Sequence, residues 1–112
     1  MTNSRAKGKR GELDAAKALN AALGTNARRS QQYNGIGKGD IVDAIPGVHI
    51  EVKRYKTFGW WKHVKQARED AEPGEIPVVM MRPDGDKDWH IAVPVKRLVE
   101  FVEAIGRGND DQ

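Results

Sequence analysis

Six residues near the middle of the chain constrain its fold most. Val48-His49-Ile50-Glu51-Val52-Lys53 alternates apolar and polar side chains at the two-residue period of a β-strand. Val48, Ile50 and Val52 share one face, and His49, Glu51 and Lys53 share the other. Asp40 stands eleven positions before Glu51, at the head of a second strand-like run ending at Ile45. Pro46-Gly47 between the runs supplies a turn, so the stretch reads as a β-hairpin with two carboxylates and a lysine on adjacent strands. Asp43, the rival acid on the first run, falls on the opposite strand face from Asp40, so both cannot serve one site.

This arrangement suits phosphodiester cleavage. Hydrolysis brings water onto a phosphorus already surrounded by negative oxygen, and Mg²⁺ can neutralise that charge and lower the pKa of its bound water. Magnesium wants oxygen ligands and keeps several waters, so one to three carboxylates at a strand edge suffice. Asp40 and Glu51 are the candidate metal ligands, with the Val52 backbone carbonyl near them. Lys53 emerges on the face of Glu51, where its ammonium can orient a nucleophile or offset charge on phosphorus. The plainer reading is a solvated strand face with a local Glu–Lys pair, and Glu-x-Lys alone does not exclude it. His49 shares the face of Glu51, yet with His63 and His90 scattered along the chain a surface or hydrogen-bonding role is the simpler expectation.

Composition bounds the rest. A chain of 112 residues supports one domain with one core, and 38% hydrophobic with 31% charged residues suits a globular domain. No apolar run approaches the ~20 residues of a membrane span, and no apolar segment follows the basic N-terminus as in a secretory signal. The absence of cysteine excludes disulfides and thiolate metal sites. A cytoplasmic location is expected. The net charge of +3 is unevenly spread. Arg5, Lys7, Lys9, Arg10, Lys17, Arg28, Arg29 and Lys38 face only Glu12 and Asp14 in the first 39 residues, which points to a polyanionic partner.

Taken in order, residues 1–7 read as a flexible basic arm, residues 8–106 as a single domain and residues 107–112 as a flexible polar tail. An alanine-rich helix is predicted from about Lys9 to Leu23, stopped by Gly24. Glu12, Ala16, Leu19 and Leu23 fall on one of its stripes, which puts a carboxylate in line with the core side. A glutamate in the first helical turn also favours the helix dipole, and spacing alone favours that plainer reading. Asn26–Tyr33 is a possible first strand. Asn34–Gly39 is a glycine-rich loop, but Lys38 is followed by Gly39 and a strand, so a phosphate-cradling loop and a nucleotide cofactor are excluded. A helix over Phe58–Ala71, strands over Ile76–Met81 and Trp89–Val93, and a last helix over Val95–Ile105 complete the order α-β-β-β-α-β-β-α.

Asp40, ten intervening residues and Glu51-Val52-Lys53 resemble the core of the PD-(D/E)xK nuclease superfamily, and within it the archaeal-type Holliday junction resolvases and their phage relatives. Further pieces fall in the same order. Lys7-Gly8-Lys9-Arg10-Gly11-Glu12 resembles the opening K-G-x-x-x-E, whose glutamate joins the active site. Arg29-Ser30 resembles the arginine-serine of the first strand, and Ile76-Pro77-Val78-Val79 the strand after the second helix. Leu13 stands where the family often carries arginine, the Ser30–Asp40 loop looks longer, and the last helix lies beyond the part that matches. The resemblance implies a restriction-endonuclease-like α/β fold, a mixed central sheet flanked by helices. It also implies a catalytic set of Glu12, Arg29, Asp40, Glu51 and Lys53, with Glu12 reaching the metal through water. Mg²⁺, with Mn²⁺ able to substitute, and a homodimer cutting a four-way junction at two symmetric sites follow from it too. Lys7, Lys9, Arg10, Arg28, Arg29, Ser30, Lys38, Arg54, Lys56, Lys62 and Lys65 are the expected DNA contacts. Adjacent Trp60 and Trp61 cannot both bury on one helix side. One could pack inside while the other meets DNA or a second subunit, or both could line an intramolecular groove.

The expected function is thus a metal-dependent, structure-selective DNA endonuclease, a Holliday junction resolvase in the first instance. A less selective enzyme that nicks or degrades DNA is the alternative within the class. A non-catalytic nucleic-acid-binding domain of the same fold is the alternative outside it.

Overall fold

A computed structural model of the chain describes residues 4–30, 39–55 and 59–110. The elements follow the expected order: α1 (Ser4–Leu23), β1 (Arg28–Arg29), β2 (Ile41–Val42), β3 (Val48–Tyr55), α2 (Trp60–Asp70), β4 (Ile76–Pro83), β5 (His90–Ala92) and α3 (Leu98–Asp110), the last preceded by a 3₁₀ turn at Val95–Arg97. The five strands form one mixed sheet in the order β1-β2-β3-β4-β5, a restriction-endonuclease-like α/β arrangement with β3 at its centre. β1, β2 and β3 run antiparallel in succession, β3 and β4 are parallel, and β5 returns antiparallel to β4. Parallel neighbours need a crossover, which α2 supplies.

The two central strands are covered on both sides. Ile50 and Val52 of β3, with Ile76, Val78 and Met80 of β4, form the main core together with Ala15, Ala16 and Leu19 of α1 and Phe101 and Ala104 of α3. On the reverse face His49, Glu51 and Val79 are buried, and α2 packs there with Ala67 inward. The plainer reading, a solvated polar strand face, therefore fails for His49, which is 2% exposed. Parallel strands under a crossover helix have no solvent face.

Three boundaries differ from expectation, each for a local reason. α1 begins at Ser4, inside the stretch read as a flexible arm, so Glu12 sits more than two turns into the helix. Its first-turn dipole role is thereby removed. Gly11 is tolerated there because a Cβ would lie 3.2 Å from Cδ of Arg54, so its bare backbone lets α1 approach β3. β2 ends at Val42 because Asp43 adopts φ 62°, a left-handed conformation that breaks the strand. α3 runs through Gly106 into the stretch read as a tail, and Gly108 is buried where a Cβ would meet Pro46 Cδ at 3.1 Å. Of the predicted first strand, residues 31–33 lie outside the described residues, as does the start of the second helix at Phe58. Among the described residues no helix is long and apolar enough to cross a membrane.

The link from α1 to β1 is fixed by one side chain. Gly24, at φ 71°, closes the helix through its N–H to Asn20 O at 2.9 Å. The Asn20 amide then holds the chain beyond it. Its oxygen accepts from Thr25 Oγ1 and from the Ala27 N–H, both at 2.7 Å, and its nitrogen donates to Ala27 O at 3.0 Å. β1 thus leaves the helix in a set direction, which brings Arg29 back to α1.

Candidate active site

The β2–β3 register decides the site. Ile41 pairs with Ile50, so Asp40 lies opposite Glu51, and the Asp40 N–H donates to Ile50 O at 2.7 Å. Gly39 makes this approach possible: a Cβ there would stand 2.5 Å from Ile50 O. The Asp40 carboxylate, in turn, accepts the Val52 N–H at 2.7 Å and continues the ladder where the short strand ends. Ser30 N–H to Asp40 O at 2.9 Å ties the same residue to β1.

A half-buried carboxyl, Asp40, thus meets a buried one, Glu51, across one strand pair. Burial raises the pKa of Asp40, the Val52 N–H opposes that rise, and the charges of Glu51 and Glu12 add to it, bringing it to about 7. Burial pushes Glu51 up as well, but its hydrogen bonds from His49 and Asp40 and the charges of His49 and Lys53 outweigh this and lower its pKa. Glu51 is therefore the more acidic of the two, and Asp40 is the one biased toward its protonated form. His49 Nε2 is 2.8 Å from Glu51 Oε1, and with an ionised acceptor that nitrogen carries the hydrogen. Lys53, half-buried on the same strand face, is close enough for its charge to act on Glu51 and on His63 of α2. Burial and the charges of Lys53 and Lys62 lower the pKa of His63, so its imidazole is neutral at pH 7.

Glu12 and Arg29 come together as well. Arg29 Nε donates to Glu12 Oε1 at 2.7 Å, joining β1 to α1, and the pair is near enough for Glu12 to raise the pKa of Asp40. The expected DNA contacts fare unevenly. Lys9, Arg10, Lys62 and Lys65 are exposed. Arg28 is exposed but bonded to Asp43 at 2.7 Å, a surface pair worth at most about 1 kcal/mol and easily exchanged for phosphate. Ser30 is buried, at 4% exposure, directly before the residues that are not described. Arg54 is half-buried, 3.7 Å from Asp84. The side chains of Lys7, Lys38 and Lys56 lie outside the described residues.

Sequence reasoning missed His63, which its isolation in the chain concealed, and the contact of His49, for which strand parity was the available signal. Trp60 and Trp61 make an edge-to-face pair with centroids 5.8 Å apart. Both are partly exposed and line a groove of about 650 Å³ on the flank of α2, with Val64, Val79 and Ala92. The groove reading of the two tryptophans is the one the structure matches.

One comparison bears on what such a site belongs to. The family model described as "Phage putative PDDEXK endonuclease" matches residues 3–105. The chain belongs to that family. No curated protein and no solved structure matches it. The matched span contains Glu12, Arg29, Asp40, Glu51 and Lys53, and Glu51-Val52-Lys53 has the E-x-K pattern that the family's description spells. Gly39 stands where the motif's first letter is proline, and the contact with Ile50 explains it, since no residue with a Cβ fits there.

Nucleases of the PD-(D/E)xK superfamily generally use divalent metal ions, and the donor set here suits one. Among the described residues no three His, Cys, Asp or Glu side chains converge on a possible metal position. The Asp40–Glu51 pair is instead an all-oxygen, two-carboxylate edge, which is enough for a cation that retains most of its waters. The raised pKa of Asp40 reflects two facing carboxyls whose charges repel, and such a pair gains from a cation between them.

Proposed function

We propose that this PDDEXK endonuclease is a divalent-metal-dependent enzyme that cuts branched DNA, a Holliday junction resolvase acting as a homodimer. The observation that carries the nuclease reading is the pairing of Asp40 with Glu51 across β2–β3, with Lys53 two residues further along the same strand. Asp40, Glu51 and the Val52 carbonyl would hold Mg²⁺ or Mn²⁺, with Glu12 adding charge through water. When bound, such an ion supplies charge neutralisation at phosphate and water of lowered pKa. Asp40 must give up its proton for this, while the Val52 N–H keeps its carboxylate aimed. Lys53 carries the fixed positive charge beside Glu51 and offsets charge that builds on the phosphoryl oxygens. Arg29 neutralises Glu12, so the acidic cluster does not repel the DNA backbone as strongly as three free carboxylates would. Lys9, Arg10, Lys62 and Lys65 offer phosphate contacts that position a duplex without reading its sequence.

The junction preference is supported by the family resemblance and by a surface suited to pairing. α3 and the turn before it expose Val95 (84%), Val99 (71%) and Val102 (61%), beside the half-exposed Leu98. A two-fold dimer formed there would present two equivalent sites to a junction of approximate two-fold symmetry. The deciding experiment offers a four-way junction, a linear duplex and a single strand of matched sequence, each with Mg²⁺ or EDTA. Paired symmetric incisions in the junction, only with metal, are expected. Equal cutting of linear duplex would leave a nuclease of lower selectivity, and tight binding without any cutting would leave a binding domain. Lys53→Ala is expected to lower cleavage at least 100-fold with DNA affinity unchanged, and cleavage at the wild-type rate would misplace the site.

A further inference from the structure

We infer that His49 is a positioning residue for the metal-ligand carboxylate of Glu51. The inference rests on the metal-dependent reading given above. Its Nε2 is 2.8 Å from Glu51 Oε1, which leaves the other carboxylate oxygen, Oε2, for the cation. The ring has little freedom to do otherwise. It is one of the most completely buried side chains of the protein, on the sheet face that α2 covers, and across β4 it lies opposite Pro77.

Packing alone does not account for an imidazole at this place. Nδ1 is buried and makes no hydrogen bond among the described residues. The nearest acid to it, Glu75, stands 3.8 Å away, and Glu75 Oε1 already receives the Glu72 N–H at 2.8 Å. A buried polar atom left without a partner costs stability, and a leucine of similar size would avoid that cost. What the imidazole adds is its single good hydrogen bond, and that bond goes to Glu51. The ring itself is not placed to bind the cation, since Nε2 is engaged and Mg²⁺ prefers oxygen. An outer partner that fixes a ligand's orientation sets how tightly the metal is held, typically by 10–100-fold.

The test measures metal binding by the full chain without DNA, with Mn²⁺ followed by electron paramagnetic resonance and Mg²⁺ by competition. Wild type, Glu51→Gln, His49→Leu and His49→Gln are compared at pH 8. Glu51→Gln is expected to abolish binding. His49→Leu should weaken binding about 10–100-fold. His49→Gln, whose amide can reach Glu51, should come back to within a few-fold of wild type. DNA affinity in EDTA and the metal-free melting temperature should not fall in either His49 variant. His49→Leu holding metal as tightly as wild type overturns the positioning role and leaves the metal site standing. Wild type that binds no metal, or binding that survives Glu51→Gln, overturns both. A measurement on the wild-type chain is independent of how the variants fold. The ring ¹⁵N signals of His49 should move on Mg²⁺ addition while those of His90, exposed on the edge strand, stay in place; a His49 signal that does not move overturns the inference.

Discussion

At the scale of single residues, the opposed carboxyls of Asp40 and Glu51 make the metal-free protein sensitive to pH. Asp40 binds its proton more tightly folded, at about 7, than unfolded, at 3.8. It therefore contributes stability that is complete below the unfolded value and is lost as pH rises through about 7. His49 acts in the same direction: burial disfavours its charge, but the bond and charge of Glu51, with Glu75 and Asp70, raise its pKa overall. Glu51, shifted down, opposes them at acid pH only. In EDTA the melting temperature should thus be lower at pH 8 than at pH 6, and Mg²⁺ should narrow the gap. Asp40→Asn keeps an acceptor for the Val52 N–H and a donor for Glu51 without the charge. Its metal-free form should melt a few degrees above wild type at pH 8, given about 4–8 °C per kcal/mol in a small domain. A variant that melts lower would show that the carboxyls are not in conflict. Which residues meet here was legible from spacing and strand parity. What each feels was not, because parity gives a face but not what covers it. A surface or hydrogen-bonding role is expected of His49 for that reason; the hydrogen bond is there, but α2 lies over it.

At the scale of elements, β3 and β4 could be read from their apolar patterns because both are long and buried, and burial is what writes such a pattern into a strand. β1 and β2 are two residues each, too short to carry a period, and they owe their place to bonds rather than to hydrophobicity. Asn20 supplies three of those bonds at the exit of α1. Asn20→Ala leaves the Ala27 N–H without its acceptor and should cost about 1–3 kcal/mol by chemical denaturation. Activity should fall as well, since Arg29 would lose its fixed approach to Glu12. A loss of stability under 0.5 kcal/mol would assign the direction of β1 to something else. The start of α1 escaped the sequence reading because the basic stretch 1–7 reads as a flexible arm, and the end of α3 because Gly106 is taken as a stop. The helix runs on past Gly106 to Gly108, where a Cβ would meet Pro46 Cδ at 3.1 Å.

At the scale of the whole molecule, the valine stripe of α3 predicts self-association. A Val99→Asp, Val102→Asp double variant should sediment as a monomer if the wild type sediments as a dimer. It should also nick junctions singly rather than in pairs, with the melting temperature nearly unchanged because both side chains are exposed. A wild-type monomer that still makes paired cuts would assign the symmetry to the DNA. The sheet has a second asymmetry, and it concerns motion. β3 is registered with β4 over eight residues, Val48 to Tyr55, whereas its antiparallel pairing with β2 rests on Ile41 and Ile50 and on the bonds of Asp40. The two acids opposite one another therefore belong to parts that open at different rates. Backbone amides of β3 should exchange with deuterium only when the whole domain unfolds, while those of β2 exchange through brief local opening. A cation bridging Asp40 and Glu51 would close that opening, so Mg²⁺ should slow exchange at Ile41 and Val42 and leave β3 as it was. On that account one side of the cleft is an anvil and the other a latch, and the metal fastens the latch.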